Sequence, residues 1–372
     1  MAAKEQLKQT SAQNILIVGP AWVGDMVMAQ SLFMSLQLQY PECRITVMAP
    51  DWTLPLLSRM PQVAQSISSP IGHGEFRFSA RRALGKVLRM NGYTMSIVLP
   101  NSFKSALIPY FAGIPRRVGW RGEWRNLLLT DCRKLDEKAL PLMVQRFAAL
   151  AYESAAALPE RIPKPRLQID NKLLQATLSE FNLDASQKIL AICPGAEFGT
   201  SKQWPARHYA EVCNAKIAEG WDIWIFGSGN DKEIASAIVS GVDSDKLAHC
   251  RNLTGHTNLA QAIDLMSTVD AAVSNDSGLM HIAAALNLSI IAVFGSTSPD
   301  FTPPLAHQVR LLTTDIECRP CFKRECPYGH LRCLTEIAPT RVLTALNELM
   351  IEKQEIAINA NSDNESTKLA SQ

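Results

Sequence analysis

Short apolar runs alternate with helix-forming stretches along most of this chain. Residues 15–18 (Ile-Leu-Ile-Val) form the first run, which favours a buried parallel strand. After it, Met28, Leu32 and Leu36 recur at the spacing of one helical face and predict a helix that starts near Asp25. Later apolar runs predict strands at residues 44–48, 95–99, 189–193, 222–226, 271–274 and 290–294. This order predicts an α/β protein built from doubly wound parallel sheets.

The alternation is interrupted at residues 158–168 (Leu-Pro-Glu-Arg-Ile-Pro-Lys-Pro-Arg-Leu-Gln). Three prolines and four charged residues disfavour both a helix and a central strand there, and they predict an interdomain linker. We therefore expect two Rossmann-like domains, at residues 14–165 and 166–338. An amphipathic helix is expected at 339–354, and the polar composition of 355–372 predicts a disordered tail.

Composition limits the possible functions. Thirty-seven Lys and Arg against thirty-five Asp and Glu give a net charge of +2, so we expect no general attraction to nucleic acid. The opening residues are polar and lack the apolar segment of a signal peptide, and no run reaches the ~20 apolar residues that a membrane span needs. We expect a cytosolic protein without a transmembrane segment.

Two loops in the second half carry residues suited to binding an anion. Residues 275–281 (Asn-Asp-Ser-Gly-Leu-Met-His) follow a predicted strand and open a helix, whose first N–H groups favour a phosphate. Asp276 can accept from a sugar hydroxyl, and His281 can reach a phosphate or sugar oxygen. Residues 194–205 add two glycines, two hydroxyls and the point charge of Lys202. Alternatively, Asp276 caps the helix, His281 is a core histidine and Lys202 is a solvated cation.

The comparable loop in the first half is residues 19–25 (Gly-Pro-Ala-Trp-Val-Gly-Asp). Transfer of a group to a hydroxyl by direct displacement requires a base, and Asp25 is the simplest candidate. A helix N-terminus favours the ionised carboxylate and so weakens it as a base, but the hydroxyl becomes acidic as the new bond forms. The alternative is that Asp25 only caps the helix.

Four segments of the sequence are together similar to the heptosyltransferase family. They are Val-Gly-Asp-Met at 23–26, Cys-Pro-Gly-Ala-Glu-Phe-Gly at 193–199, Lys-Gln-Trp-Pro at 202–205 and Asn-Asp-Ser-Gly-Leu-Met-His at 275–281. Residues 99–106, 119–123 and 298–304 further resemble the members that add the second heptose of the lipopolysaccharide inner core. The similarity spans about residues 14–305.

This resemblance implies a GT-B fold, with two parallel sheets facing a central cleft. It also implies an inverting transfer of L-glycero-D-manno-heptose, without metal or cofactor, from ADP-heptose to the first heptose of heptosyl-Kdo-lipid A. Asp25 then matches the family's base. We assign donor binding to Thr200, Ser201, Lys202, Glu233, Asp276, Ser277, Gly278 and His281. We assign acceptor binding to Lys104 and Arg121.

The predicted acceptor domain contains a strongly basic segment. Residues 77–146 include fourteen basic and four acidic residues, a local net charge of +10. Such a segment suits a polyanionic glycolipid, and we expect the enzyme to be peripheral at the inner face of the inner membrane. Solvated surface cations are the alternative. Trp120 and Trp124 either contact sugar rings or acyl chains, or belong to the core.

Four of the nine cysteines are close in sequence, at Cys318, Cys321, Cys326 and Cys333. A CxxC pair with two further thiols is compatible with a zinc site. Because the later spacing does not form a second CxxC, disulfides and reduced thiols remain open, and the resemblance assigns this quartet no function.

Two other functions fit the same sequence. One is a related transferase with a different donor or acceptor, and the other is a nucleotide-sugar-binding protein without turnover. A dehydrogenase is disfavoured because no G-x-G-x-x-G motif follows the first predicted strand.

Overall fold

The structure, a computed structural model, describes residues 13–72, 75–154 and 158–369. The chain divides into two compact units after Gln168, and the short segment Asp300–Thr302 belongs to the first unit. The boundary predicted from the sequence lies between residues 165 and 166, three residues earlier.

The first unit is built on a parallel sheet of six strands within the described residues. These strands are β1 (Asn14–Val18), β2 (Arg44–Ala49), β3 (Val63–Ser68), β4 (Met95–Val98), β5 (Arg116–Trp120) and β6 (Asp131–Arg133), in the order β3-β2-β1-β4-β5-β6. Its helices are α1 (Val23–Gln39), α2 (Leu54–Leu57), α3 (Phe78–Leu88), α4 (Leu107–Phe111) and α5 (Met143–Ala148). Ile15, Leu16 and Ile17 of β1 are fully buried, as expected for the central strand of a sheet covered on both faces.

The second unit has the same architecture. Its described strands are β7 (Lys188–Cys193), β8 (Trp221–Ile225), β9 (Cys250–Asn252), β10 (Ala271–Asn275), β11 (Ser289–Val293) and β12 (Val309–Leu312), all parallel, in the order β12-β11-β10-β7-β8-β9. Its helices are α6 (Asn171–Glu180), α7 (Ala206–Ala218), α8 (Lys232–Ser240), α9 (Leu259–Met266), α10 (Gly278–Ala285), α11 (Arg332–Thr335) and α12 (Pro339–Leu369).

Each sheet reverses its strand order at one point beside its first strand. In the first unit the reversal lies between β1 and β4, and in the second it lies between β7 and β10. Crossovers leave opposite faces of the sheet on the two sides of such a point, so the loops after those strands part and open a crevice at the carboxyl edge. Ligands of open α/β sheets bind in that crevice.

The structure confirms the predicted α/β class and the strands predicted from apolar runs. Strands β3, β5, β6, β9 and β12 were not predicted. They lie toward the sheet margins, and β6 and β9 are only three residues long, so their short and partly polar sequences carry no strand signal of their own.

The last helix is longer than the sequence predicts. Helix α12 continues to Leu369, beyond the expected end at residue 354 and through most of the stretch 355–372 that composition assigns to a disordered tail. Extending an existing helix adds one hydrogen bond per residue without a new nucleation cost, and the disorder expected for the tail remains a prediction. Residues 370–372 lie outside the described part of the chain.

Candidate functional site

A largely buried ion pair lies at the strand-order reversal of the second unit. Lys202 is the last residue of a 3-10 turn, Thr200–Lys202, that follows β7, and Asp276 directly follows β10. The Lys202 Nζ lies 2.6 Å from Asp276 Oδ2, and the two side chains are 14% and 5% exposed. Thr297 Oγ1 donates to the same oxygen at 2.6 Å. One carboxylate oxygen thus joins the loops that follow β7, β10 and β11.

His281 lies near this pair and is neutral at physiological pH. Its side chain is 5% exposed, in the first turn of α10. Burial lowers the pKa of His281 to about 4; the Asp276 carboxylate opposes this change, and the Lys202 ammonium adds to it. A neutral imidazole adds no charge to the site and offers one donor and one acceptor.

The N-terminus of α10 points its first N–H groups toward the same crevice. Ser277 is the N-cap residue in an extended conformation, and its side chain makes no capping hydrogen bond. Its hydroxyl lies 3.3 Å from the Ser274 hydroxyl instead. Because the first-turn amides of a helix have no partner within the helix, Gly278 and its neighbours can donate to an anion.

Asn275 joins the loop after β7 to the end of β10. The sequence placed it in the motif at residues 275–281 but did not predict this structural role. Its side chain is fully buried and donates to the Pro194 carbonyl at 2.6 Å. Its Oδ1 accepts from the Trp204 N–H at 3.1 Å and from the Tyr209 hydroxyl at 2.9 Å. These bonds fix the loop after β7 relative to the end of β10. Thr297 was also missed, because a lone threonine after a strand has no distinctive sequence signal.

Ser201 supports the turn rather than facing open solvent. Its side chain is 1% exposed; the hydroxyl lies 2.9 Å from the Ser296 hydroxyl and donates to the Lys323 carbonyl. Gly199 has a φ of +151°, and a Cβ there would lie 2.3 Å from the Arg324 carbonyl oxygen. Residues 318–324 therefore pack closely behind the turn that carries Lys202.

The four clustered cysteines belong to this supporting loop. All nine cysteines are free thiols, so none of the quartet forms a disulfide. Cys318, Cys321, Cys326 and Cys333 line one cavity together with Ser201 and Ser296. Within the described residues, no three Cys, His, Asp or Glu side chains are placed to hold a metal ion.

The other predicted donor-binding residues are exposed. Thr200 opens the turn that carries Lys202, and Glu233 lies in the first turn of α8, which follows β8. Both lie at the carboxyl edge of the second sheet. The structure thus brings Lys202, Asp276 and His281 into one cluster, and it places Thr200 and Glu233 at the same edge.

The predicted residues of the first unit also lie at the carboxyl edge of their sheet. Asp25 is half-buried in the first turn of α1, which follows β1. Lys104 lies in the 3-10 turn Phe103–Ala106 that follows β4, the partner strand of β1. Arg121 follows β5, and its side chain is exposed.

A buried arginine holds this edge together and was not predicted. Arg125 has no exposed surface. Its guanidinium donates to the Trp120 carbonyl at 2.7 Å, to Asn101 Oδ1 at 2.8 Å and to the Pro100 carbonyl. Burial lowers the pKa of Arg125 to about 10, with Cys132 and Glu123 opposing that change, so the group remains charged at neutral pH. It ties the loop after β4 to the end of β5.

Not all of the basic segment is free surface charge. Arg81, Arg125 and Arg133 are 7%, 0% and 5% exposed and are bonded within the protein. The two tryptophans also differ. Trp120 is buried and donates to the Arg146 carbonyl at 3.0 Å, whereas Trp124 is 82% exposed. No helix in the described ranges is both long and apolar enough to cross a bilayer.

Two doubly wound units of the same strand order, one with a cation, a carboxylate and a helix N-terminus at its carboxyl edge, have the architecture of the GT-B fold. Comparison with known proteins gives the family. The profile of "Glycosyltransferase family 9 (heptosyltransferase)" matches residues 81–332. This chain therefore belongs to glycosyltransferase family 9, the heptosyltransferases.

Individual relatives agree with this membership over nearly their whole length. The chain is 47% identical over 346 residues to lipopolysaccharide heptosyltransferase 2 of Escherichia coli, covering 92% of this chain and 99% of the relative. It is 45% identical to lipooligosaccharide heptosyltransferase 2 of Haemophilus influenzae, covering 91% and 99%. The solved structure of the E. coli ADP-heptose lps heptosyltransferase II superposes with a TM-score of 0.83 at 46% identity, covering 92% and 100%.

Proposed function

We propose that this enzyme transfers L-glycero-D-manno-heptose from ADP-heptose to the first heptose of heptosyl-Kdo-lipid A, with inversion at the anomeric carbon. The observation that carries the proposal is the 47% identity over 92% of the chain to lipopolysaccharide heptosyltransferase 2 of E. coli. We place ADP-heptose in the second unit and the glycolipid in the first, at the carboxyl edges described above.

The donor diphosphate gains negative charge as the C1–O bond breaks, and we assign its stabilisation to Lys202 and α10. The ammonium of Lys202 has three donors, of which the contact with Asp276 uses one. The carboxylate holds the ammonium in position, and the remaining donors are available to phosphate oxygens. The N-terminal amides of α10 act on the same charge. Thr200, Ser277, Gly278, His281 and Glu233 complete the proposed donor contacts, while Ser201 maintains the turn.

The acceptor hydroxyl must lose a proton as its oxygen attacks C1, and we assign that proton to Asp25. The carboxylate lies at the strand-order reversal of the first unit, where the loops after β1 and β4 part. Lys104 and Arg121 lie at the same edge and suit the anionic groups of a glycolipid. In this mechanism the attacking and departing oxygens lie on opposite faces of the sugar, which gives inversion.

We further propose that the enzyme works at the cytoplasmic face of the inner membrane, since its acceptor carries acyl chains. The exposed part of the basic segment supports this placement.

The test is an assay of ADP release from ADP-heptose, with and without heptosyl-Kdo-lipid A, in the presence of a chelator. We expect release only with the acceptor, together with a product heavier by one heptose whose new linkage has the inverted configuration by NMR. ADP binding without acceptor-dependent release would instead identify a binding protein. Release with another sugar nucleotide, but not with ADP-heptose, would identify a different transferase.

A further inference from the structure

One exposed face of the first unit combines aromatic and aliphatic side chains with cations. It consists of α3 and its flanking residues, and we call it the α3 surface: Phe76, Phe78, Arg82, Lys86, Val87 and Met90. Its four apolar members are all exposed: Phe76 by 53%, Phe78 by 46%, Val87 by 65% and Met90 by 88%. The two aromatic rings lie at the start of α3 and the two aliphatic side chains at its end. Several large, exposed apolar side chains on one element are typical of an interaction surface.

The surface is held in a fixed arrangement by contacts beneath it. On its inner face α3 packs on α4, where a Cβ at Gly85 would lie 2.6 Å from the Phe111 Cβ and 2.8 Å from the Ile108 carbonyl oxygen. The Phe76 and Phe78 rings stack at 6.2 Å, and Phe78 meets the edge of the Phe111 ring at 5.4 Å. The outward side chains therefore belong to a packed element.

Buried Arg81 links this surface to the proposed acceptor site. Its Nε donates to the Phe76 carbonyl at 2.7 Å, and its Nη1 donates to the Lys104 carbonyl at 3.2 Å. One guanidinium thus connects the start of the α3 surface with the turn that carries Lys104. The helix that carries the α3 surface is therefore tied directly to the predicted acceptor-binding turn.

The two charged members of the α3 surface, Arg82 and Lys86, are both cations, and the one carboxylate beside it, Glu75, lies 3.4 Å from the Arg77 guanidinium. From Phe76 to Gly122 the sequence contains no aspartate or glutamate; Arg82 and Lys86 are exposed on α3, and Arg89 is exposed directly after it. Arg82 and Lys86 are one helical turn apart, and Ala83 and Val87 form the neighbouring row. A row of cations therefore runs beside a row of apolar residues on the outward face of α3.

We infer that the α3 surface binds the headgroup region of an anionic phospholipid bilayer. Cations beside exposed aromatic and aliphatic side chains are the pattern of interfacial membrane contacts, where charges meet lipid phosphates and apolar groups enter the acyl boundary. A nucleic acid would use the cations but give Val87 and Met90 no apolar environment. The choice of a bilayer rests on the proposed function, because its lipid acceptor lies in one.

Binding is tested by co-sedimentation of the full-length protein with vesicles. Vesicles of phosphatidylcholine alone are compared with vesicles in which phosphatidylglycerol replaces part of it. We expect binding to the anionic vesicles only, weakened by salt. Each cation near an anionic surface contributes about 5-fold, so Arg82→Gln with Lys86→Gln is expected to weaken binding roughly 25-fold. Val87→Gln with Met90→Gln is expected to weaken it at least 10-fold.

Matched changes in the second unit serve as controls. Arg207→Gln with Arg251→Gln removes two exposed cations, and Leu247→Gln with Ile351→Gln removes two exposed apolar side chains. Both controls should bind vesicles like the unchanged protein, and thermal unfolding should be the same in all variants. The inference is overturned if the α3 variants bind vesicles as tightly as the controls, or if the unchanged protein binds no vesicles. It is also overturned if added RNA or DNA fully displaces the protein from the vesicles.

A second readout separates this inference from the proposed function. Transfer is measured to heptosyl-Kdo-lipid A embedded in anionic vesicles and to the same acceptor oligosaccharide freed of its lipid. The α3 variants should lose rate only with the embedded acceptor. If the unchanged protein transfers heptose to neither acceptor, the proposed function fails. The vesicle-binding experiment then still tests whether the α3 surface binds a membrane. Equal rates of variants and controls on embedded acceptor would contradict a role for α3.

Discussion

Lys202 Nζ and Asp276 Oδ2 are 2.6 Å apart, although the two residues follow different strands and are 74 positions apart in the chain. Asp276 is buried and accepts a second hydrogen bond from Thr297, so it holds the partly buried ammonium at one point of the crevice. Both its charge and its position are therefore set before a donor arrives, which is the condition for electrostatic stabilisation of a departing group.

Replacing Lys202 tests this role. Lys202→Met removes a charged donor worth about 1.5–3 kcal/mol, so we expect the Kd for ADP to rise roughly 10- to 100-fold by isothermal titration calorimetry. Lys246→Met is the control, since Lys246 pairs with Asp243 at the surface and should leave ADP affinity unchanged. An unaltered Kd in Lys202→Met would exclude contact between this ammonium and the diphosphate.

His281 makes the stability of the second unit depend on pH. Burial holds the pKa of folded His281 at about 4, whereas the unfolded chain takes up the proton near pH ~6.5. The stabilisation is therefore complete above pH ~6.5 and is lost as the pH falls toward 4, by roughly 3 kcal/mol in total. Urea unfolding between pH 7.5 and 4.5 should show this loss, and His281→Gln should lose less over the same range.

The control for this pH dependence is His307→Gln, which alters an exposed histidine and should retain the pH slope of the unchanged protein. If His281→Gln and the unchanged protein lose equal stability between pH 7.5 and 4.5, then His281 is not held neutral by the fold.

Replacing Asp25 is expected to reduce the rate of transfer without reducing donor binding. Asp25→Asn keeps the size of the side chain but removes the base, so we expect kcat to fall by at least 10²- to 10⁴-fold with ADP affinity within about twofold. Asp51→Asn, an exposed carboxylate elsewhere in the same unit, should change neither quantity. A parallel loss of ADP affinity and stability in Asp25→Asn would assign Asp25 a structural role.

Arg125 is expected to be essential for the stability of the first unit. Arg125→Met leaves the Pro100 and Trp120 carbonyls and the Asn101 amide oxygen without their donor, which should cost about 3 kcal/mol in urea unfolding. Arg44→Met alters an exposed arginine on β2 and should cost less than about 0.5 kcal/mol. Equal stability of the two variants would mean that water replaces the guanidinium.

Cys326 is expected to be more reactive than Cys333 and Cys43. Burial opposes ionisation, but the backbone N–H groups of Leu331, Tyr328, His330 and Gly329 more than offset it and lower the pKa of Cys326. Burial raises the pKa of Cys43 and raises that of Cys333 to about 11. Brief iodoacetamide treatment at pH 7.5, followed by peptide mass mapping, should therefore modify Cys326 before Cys43, although both thiols are half-buried. Equal labelling of these two would contradict the difference in pKa.

The sequence by itself determined the buried strands, whose apolar runs recur along the chain. The run at residues 15–18 and the corresponding run at 189–193 are continuous apolar stretches, and each folds as a central parallel strand. Glycine, hydroxyl and charged residues directly after such strands indicated the carboxyl edges where the site lies. The similarity of several motifs to one family added the chemistry, which local patterns did not supply.

Only the tertiary structure decided which polar residues meet and which are buried. Lys202 and Asp276 pair because β7 and β10 are neighbours at the strand-order reversal, and no local pattern encodes that adjacency. Arg125 and Arg121 look alike in sequence, yet one is fully buried and the other exposed. Local sequence fixes helix and strand periodicity through backbone geometry, but hydrogen-bond partners and burial depend on strand order, which is set by packing across the whole unit.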